Sequence, residues 1–151
     1  MPIVTPGTFT LAALASELNG DPLGIGYAAV FANSDSLAVL LNTSPEPVVA
    51  GSQESVYRKV TPTTDMVAGL VKADFTALTV AERELCALVF APGEVKTGDA
   101  TLRTLLSALF PTSTTRTNLI AASSRLCSRA EALWGDGFTV SGQVVAQALG
   151  R

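Results

Sequence analysis

Apolar residues recur at three- and four-residue spacing along most of the chain, in short blocks separated by glycine, proline or polar capping residues. Leu11, Leu14, Ala15 and Leu18 form the first such face, behind Thr8 or Thr10 as an N-cap and ahead of Asn19-Gly20 as a stop. Leu37, Leu40 and Leu41 form the second, capped by Asn33 or Ser34 and ended by Asn42-Thr43-Ser44-Pro45. Thr61-Pro62 reads as an N-cap with proline at the first helical position, opening a helix that turns Met66, Leu70 and Val71 toward a core. Thr79 and Glu82 fit a capping box, and Leu85, Leu88 and Val89 supply the apolar face of the helix that follows, before Ala91-Pro92-Gly93.

Downstream, Asp99 caps a helix with Leu102, Leu105, Leu106 and Leu109 on one face, and Thr112 or Ser113 starts another that carries Leu119, Ile120 and Leu126. Ser128 and Glu131 make a second capping box, with Gly135 placed for a left-handed C-cap. A last capped helix shows Val144, Val145 and Leu149. The stretch at 44–60 has two prolines, a glycine and no helical period, so it is expected to be a loop with a short extended piece near 56–60. The expectation is an all-α fold: one compact domain over residues 1–151, with six to eight short helices.

Composition adds a second point. Hydrophobic residues make up 48% and charged residues 15%, against about 25% in an average soluble chain, so some apolar surface is expected to be covered by a partner. The net charge of −3 gives no global basic field for nucleic acid, which makes nucleic-acid binding an unfavoured reading. Charge is also uneven. Residues 1–57 hold five acidic side chains (Glu17, Asp21, Asp35, Glu46, Glu54) and no Lys or Arg, while seven of the ten basic residues lie from Arg83 onward. Such polarity suits head-to-tail packing between copies. Cys86 and Cys127 lie among apolar residues without metal-like spacing and read as small buried hydrophobes. No apolar run approaches the roughly 18 residues of a membrane span, and the N-terminus lacks the pattern of a secretory leader, so a soluble protein made in a reducing cytoplasm is expected.

Candidate chemistry is sparse. The absence of histidine removes Ser-His-Asp triads, Cys-His pairs and His-based zinc sites, and no catalytic residue, metal, cofactor or small-molecule substrate is expected. Gly24-x-Gly26 lacks the third glycine and the flanking strand of a dinucleotide loop. Gly24, Gly26 and Tyr27 read instead as a structural turn, whose glycines take positive φ so that Leu23, Ile25 and Tyr27 reach a core. Arg125 and Arg129 would share a helix face at i,i+4 spacing, as a solvated face or an intersubunit ion pair rather than an anion site. Trp134 reads as a core or interface anchor. The C-terminal "FTVSGQVVAQALG" has the look of the first helix of a helix-turn-helix, but no basic second helix follows it.

Asp21, Pro22, Gly24, Gly26 and Tyr27, the Leu41-Asn42 helix end, Thr115, Arg116 and Leu119, and the closing Ser128-Arg129-Ala130-Glu131 with Gly135 together resemble a family of small tailed-bacteriophage proteins. The resemblance implies a non-enzymatic virion component, head-, neck- or tail-associated and multicopy. Its partners would be other virion proteins and copies of itself, in the particle and, during assembly, in the host cytoplasm. The alternative is a small phage-encoded DNA-binding regulator, or an assembly factor not retained in the virion.

Overall fold

The computed structural model describes residues 2–49 and 52–151, so Ala50 and Gly51 of the expected 44–60 loop lie outside the described residues. In chain order the elements are α1 (Leu11–Gly20), a 3-10 turn (Tyr27–Val30), α2 (Ser34–Asn42), β1 (Ser55–Tyr57), β2 (Thr61–Pro62), α3 (Thr63–Ala68), α4 (Lys72–Ala77) and α5 (Val80–Phe90). They continue with β3 (Glu94–Val95), α6 (Ala100–Leu109), α7 (Thr114–Ser123), β4 (Ser124–Leu126), α8 (Arg129–Trp134) and α9 (Gly142–Ala148). Helix accounts for 53% of the described residues, which places the fold in the helical class, but the short strands mean that it is not strictly all-α.

The helix starts follow local side-chain chemistry. Thr10 Oγ1 accepts from the Ala13 amide, Asn33 Oδ1 from Ser36, Asp99 Oδ1 from Thr101, and Ser141 Oγ from Val144. Both capping boxes close in both directions, Thr79 with Glu82 and Ser128 with Glu131. Thr61 departs from expectation. It is not a helix cap but a strand residue opposite Val95, and its buried hydroxyl meets that of Thr97 at 2.8 Å. Pro62 keeps extended backbone, so α3 starts only at Thr63. The helix expected to reach Leu126 stops at Ser123, where Ser124 turns extended and β4 begins.

Two compact units divide the chain, a first unit formed by residues 1–56 and 126–151 and a second formed by 57–125, so that the second is inserted in the sequence of the first. In the first unit Leu14, Leu18, Tyr27, Leu37, Leu41 and Val145 build the core, joined by Ala130 and Val140. Asn42 closes α2 onto Val140 by a two-way clamp: its Nδ2 donates to the Val140 carbonyl at 2.7 Å and its Oδ1 accepts from the Val140 amide at 2.9 Å. In the second unit Met66, Cys86, Val95, Leu106, Phe110 and Leu119 pack together, and antiparallel β2 and β3 close one edge. There the Asp74 carboxylate accepts from the Thr115 amide, an interaction that holds its carboxyl below the usual carboxylate range.

α5 turns an unexpected side outward. Cys86 is buried, with Val89 and Phe90 packed beside it, whereas Leu88 is 71% exposed and Leu85 37%. The expectation that Leu85 and Leu88 face the core is therefore corrected. α5 is apolar almost all round, and its core contact is taken by Cys86, Val89 and Phe90.

Candidate functional site

The "DPLGIGY" stretch is a turn organised by its own aspartate. Asp21 sits in the left-handed region at the end of α1, and its two carboxylate oxygens accept the amides of Ile25, at 2.7 Å, and Gly26, at 2.8 Å. Gly24 and Gly26 have φ of +66° and +94°, so the amides converge on a carboxylate supplied by the chain rather than on a phosphate. Ile25 and Tyr27 are delivered to the core, the latter fully buried. A Cβ at Gly24 or Gly26 would meet no atom within 4 Å, so the cost of a side chain there is purely one of backbone strain. Gly26→Val is expected to lose roughly 1–2 kcal/mol of stability, measured by urea unfolding.

Below that turn lies the most concentrated electrostatic arrangement of the first unit. Arg129 is the first residue of α8, fixed there by the Ser128–Glu131 capping box, and is itself buried. Its Nε and Nη2 donate to the two oxygens of Glu17 on α1, at 2.8 and 3.0 Å, and its Nη1 donates to Glu54 at 2.8 Å. Glu46 brings a third carboxylate, with Oε1 3.8 Å from Nη1. Tyr27 adds its hydroxyl, which donates to Glu17 Oε1 at 3.2 Å. Cationic side chains at helix N-termini oppose the helix dipole, and here the carboxylates offset that penalty.

These groups shift one another. Burial pushes the Glu46 carboxyl above its ordinary range, only partly opposed by the Glu54 amide, which donates to its Oε2 at 3.1 Å. The Tyr27 phenol is raised by burial and then by the Glu17 charge. Burial alone would lower the Arg129 guanidinium, but the hydrogen bonds and charges of Glu17, followed by the charges of Glu54 and Glu46, hold it above its ordinary value. The arrangement holds one guanidinium among three carboxylates and a phenol inside this unit.

Of the residues singled out from sequence, Tyr27 and Arg129 converge on this centre through Glu17. Arg125 lies in β4, and because α7 ends before it and α8 starts after it, no helix face is shared with Arg129. Arg129 itself faces inward, where a solvated or intersubunit face was expected. Trp134 is half-buried and packs edge-on against Phe9, with ring centroids 5.0 Å apart, and against Phe138 at 5.4 Å. Gly135 has positive φ (+109°), but its ψ of 162° lies outside the left-handed helical region expected for it. Sequence reasoning did not find the acidic partners of Arg129. The available signal was a basic residue at the first position of a capped helix, where acidic residues are favoured.

The second candidate is the outer face of α5, where Val80 (66% exposed), Leu85 and Leu88 lie with exposed Ala81, Ala87 and Ala91, and Glu84 is the one charge. These positions fall on one side of a helix with 3.6 residues per turn. In the same unit a small cavity is floored by Met66, Leu106 and Leu119 and edged by Arg103, whose guanidinium stacks on the Tyr57 ring at 4.3 Å. Arg103 Nη1 also donates to the carbonyls of Thr97 and Gly98, so the stack is tied to the backbone. Among the described residues no helix is long and apolar enough to cross a membrane. Comparison with protein-family models, with curated proteins and with solved structures yields no match.

Proposed function

We propose that this protein is a non-enzymatic structural component of a tailed-phage particle, bound to its head, neck or tail in several copies. The outer face of α5 carries the proposal: a run of exposed Val80, Leu85 and Leu88 interrupted by the single charge of Glu84 suits burial against a neighbouring protein. The phage setting rests on the resemblance of the Asp21–Tyr27 turn and the Ser128–Glu131 box. Charge supports assembly from copies of one chain. The first unit holds seven acidic and two basic residues, and the second holds six acidic and eight basic. With the buried Glu17, Glu46, Glu131 and Arg129 set aside, the first unit still has four acidic residues against Arg151, so units of successive copies have opposite charges to match. Its partners are accordingly other virion proteins and further copies, encountered in the host cytoplasm during assembly.

Mass spectrometry of gradient-purified particles tests the proposal directly. The protein is expected in the particle at multicopy abundance; recovery only from the lysate would overturn it in favour of a regulator or an assembly factor that is not retained. Leu88→Lys sharpens the test. As a substitution at a mostly exposed position it should change the stability of the isolated protein by no more than about 0.5 kcal/mol, while sharply reducing its incorporation into particles.

A further inference from the structure

We propose that the cavity of the second unit is a binding site for a carboxylate carried on a short aliphatic stem. Two guanidiniums, Arg103 of α6 and Arg116 of α7, line it together with the apolar Met66, Leu106 and Leu119, and among the described residues no carboxylate lines it with them. Both arginines are held with one edge unused. Arg103 is stacked on the Tyr57 ring, and its Nη1 donates to the carbonyls of Thr97 and Gly98, both at 2.8 Å. Arg116 Nη1 donates to the Pro111 carbonyl. In each case the Nε–Nη2 edge has no partner among the described residues. By that same edge Arg129 grips both oxygens of Glu17 in the first unit, because its two parallel N–H groups match the spacing of a carboxylate.

Charge and size select the occupant. The acidic residue that interacts with Arg103 is Asp99, whose Oδ1 already accepts the amides of Thr101 and Leu102 at the start of α6, so the fold does not pair either cation. A bound anion relieves their mutual repulsion. Tyr57 and Ser107 add hydroxyls to the lining that bond no other described residue and are able to donate to an oxyanion. The floor has the opposite preference. The cavity measures about 30 Å³, room for about two water-sized groups, which limits the stem to about one or two carbons. Inorganic phosphate has the charge but no apolar part, and a fatty acid has a stem that the cavity cannot enclose. Acetate and propionate meet both demands, as does the side chain of an Asp or Glu from another protein.

NMR of the intact protein, observing the arginine Nε–H groups and the Met66 methyl, tests the site with propionate against sodium chloride at equal ionic strength. Propionate is expected to shift Arg103, Arg116 and Met66 saturably, and chloride is not. Pivalate carries the same charge on a stem too wide for the cavity and should bind at least about tenfold more weakly. Arg116→Gln, at an exposed position, should weaken propionate about tenfold by removing one charge-assisted fork. N-acetylglutamic acid N-methylamide, which carries only the side-chain carboxylate, names the source: tighter binding than propionate assigns the group to a side chain of another protein, and weaker binding assigns it to a free acid. Equal shifts with chloride, pivalate binding as tightly as propionate, an unmoved Met66 methyl, or unchanged affinity in Arg116→Gln would overturn the proposal. All but the last comparison use the wild-type chain, so they decide the matter even if the variant folds poorly.

Discussion

Arg129→Met is expected to destabilise the protein by about 3–5 kcal/mol, because it removes the one cation and leaves the carboxylates of Glu17, Glu46 and Glu54 without it. Against a total stability of roughly 5–15 kcal/mol that is a large fraction, equivalent to a fall in Tm of roughly 6–20 °C. The methionine fills most of the same volume, so lost packing contributes little and the loss reports on charge. Adding Glu17→Gln to that variant should recover part of the stability, since it neutralises the carboxylate that had been held by two hydrogen bonds. Thermal and urea unfolding of the single and double variants measure both effects. A loss below about 1 kcal/mol for Arg129→Met would mean that the cluster is hydrated and loosely held, as exposed ion pairs are.

Tyr27→Ala should cost a similar amount, about 3–5 kcal/mol, by analogy with large aromatic truncations in cores. The ring is fully buried against the leucines of α1 and α2 and has no route to relax. Tyr27→Phe separates the hydroxyl from the ring. It should cost about 1.5 kcal/mol, the low end for a hydrogen bond to a charged acceptor, because the contact with Glu17 is a long one at 3.2 Å. Since the folded protein holds the phenol above its ordinary value while the unfolded chain does not, this residue also withdraws stability as pH rises above about 10. Urea midpoints at neutral and alkaline pH for wild type and Tyr27→Phe measure it: the alkaline loss should be smaller in the variant.

Much of the helical layout was legible because helix starts depend on atoms three residues apart. Asn33, Thr79, Asp99 and Ser128 needed only their own neighbours to be read as caps. The glycine turn was legible for the same reason, and only the role of Asp21 as the acceptor of its amides was not anticipated. What escaped was decided by distant residues. Periodicity shows that α5 has apolar faces, but with Val80, Leu85, Cys86, Leu88, Val89 and Phe90 spread around the helix it cannot say which face meets a core. Thr61 has the look of a cap until Val95 is present to pair with it. The ionic centre was least legible of all, because Glu17 and Arg129 stand 112 residues apart and neither carries a local mark of the other. The boundaries of the inserted unit, at Tyr57 and Arg125, fall within strands rather than in a glycine- or proline-rich linker, so composition gave no sign of them.

That insertion imposes an order on synthesis. The unit formed by 57–125 is continuous, and all of its partners are present once its own last residue has emerged from the ribosome. The other unit is begun first and finished last: Glu17, Glu46 and Glu54 are made well before Arg129, and at about 5–20 residues per second the 112-residue gap from Glu17 to Arg129 lasts on the order of ten seconds. During that interval α1, the glycine turn and α2 expose to solvent the leucines that α8 and α9 will later cover, and the three carboxylates stay hydrated with no internal cation to pair with. Charge on those carboxylates opposes association of like chains while the apolar faces are uncovered, and in the finished unit Arg129 pairs with Glu17 and Glu54.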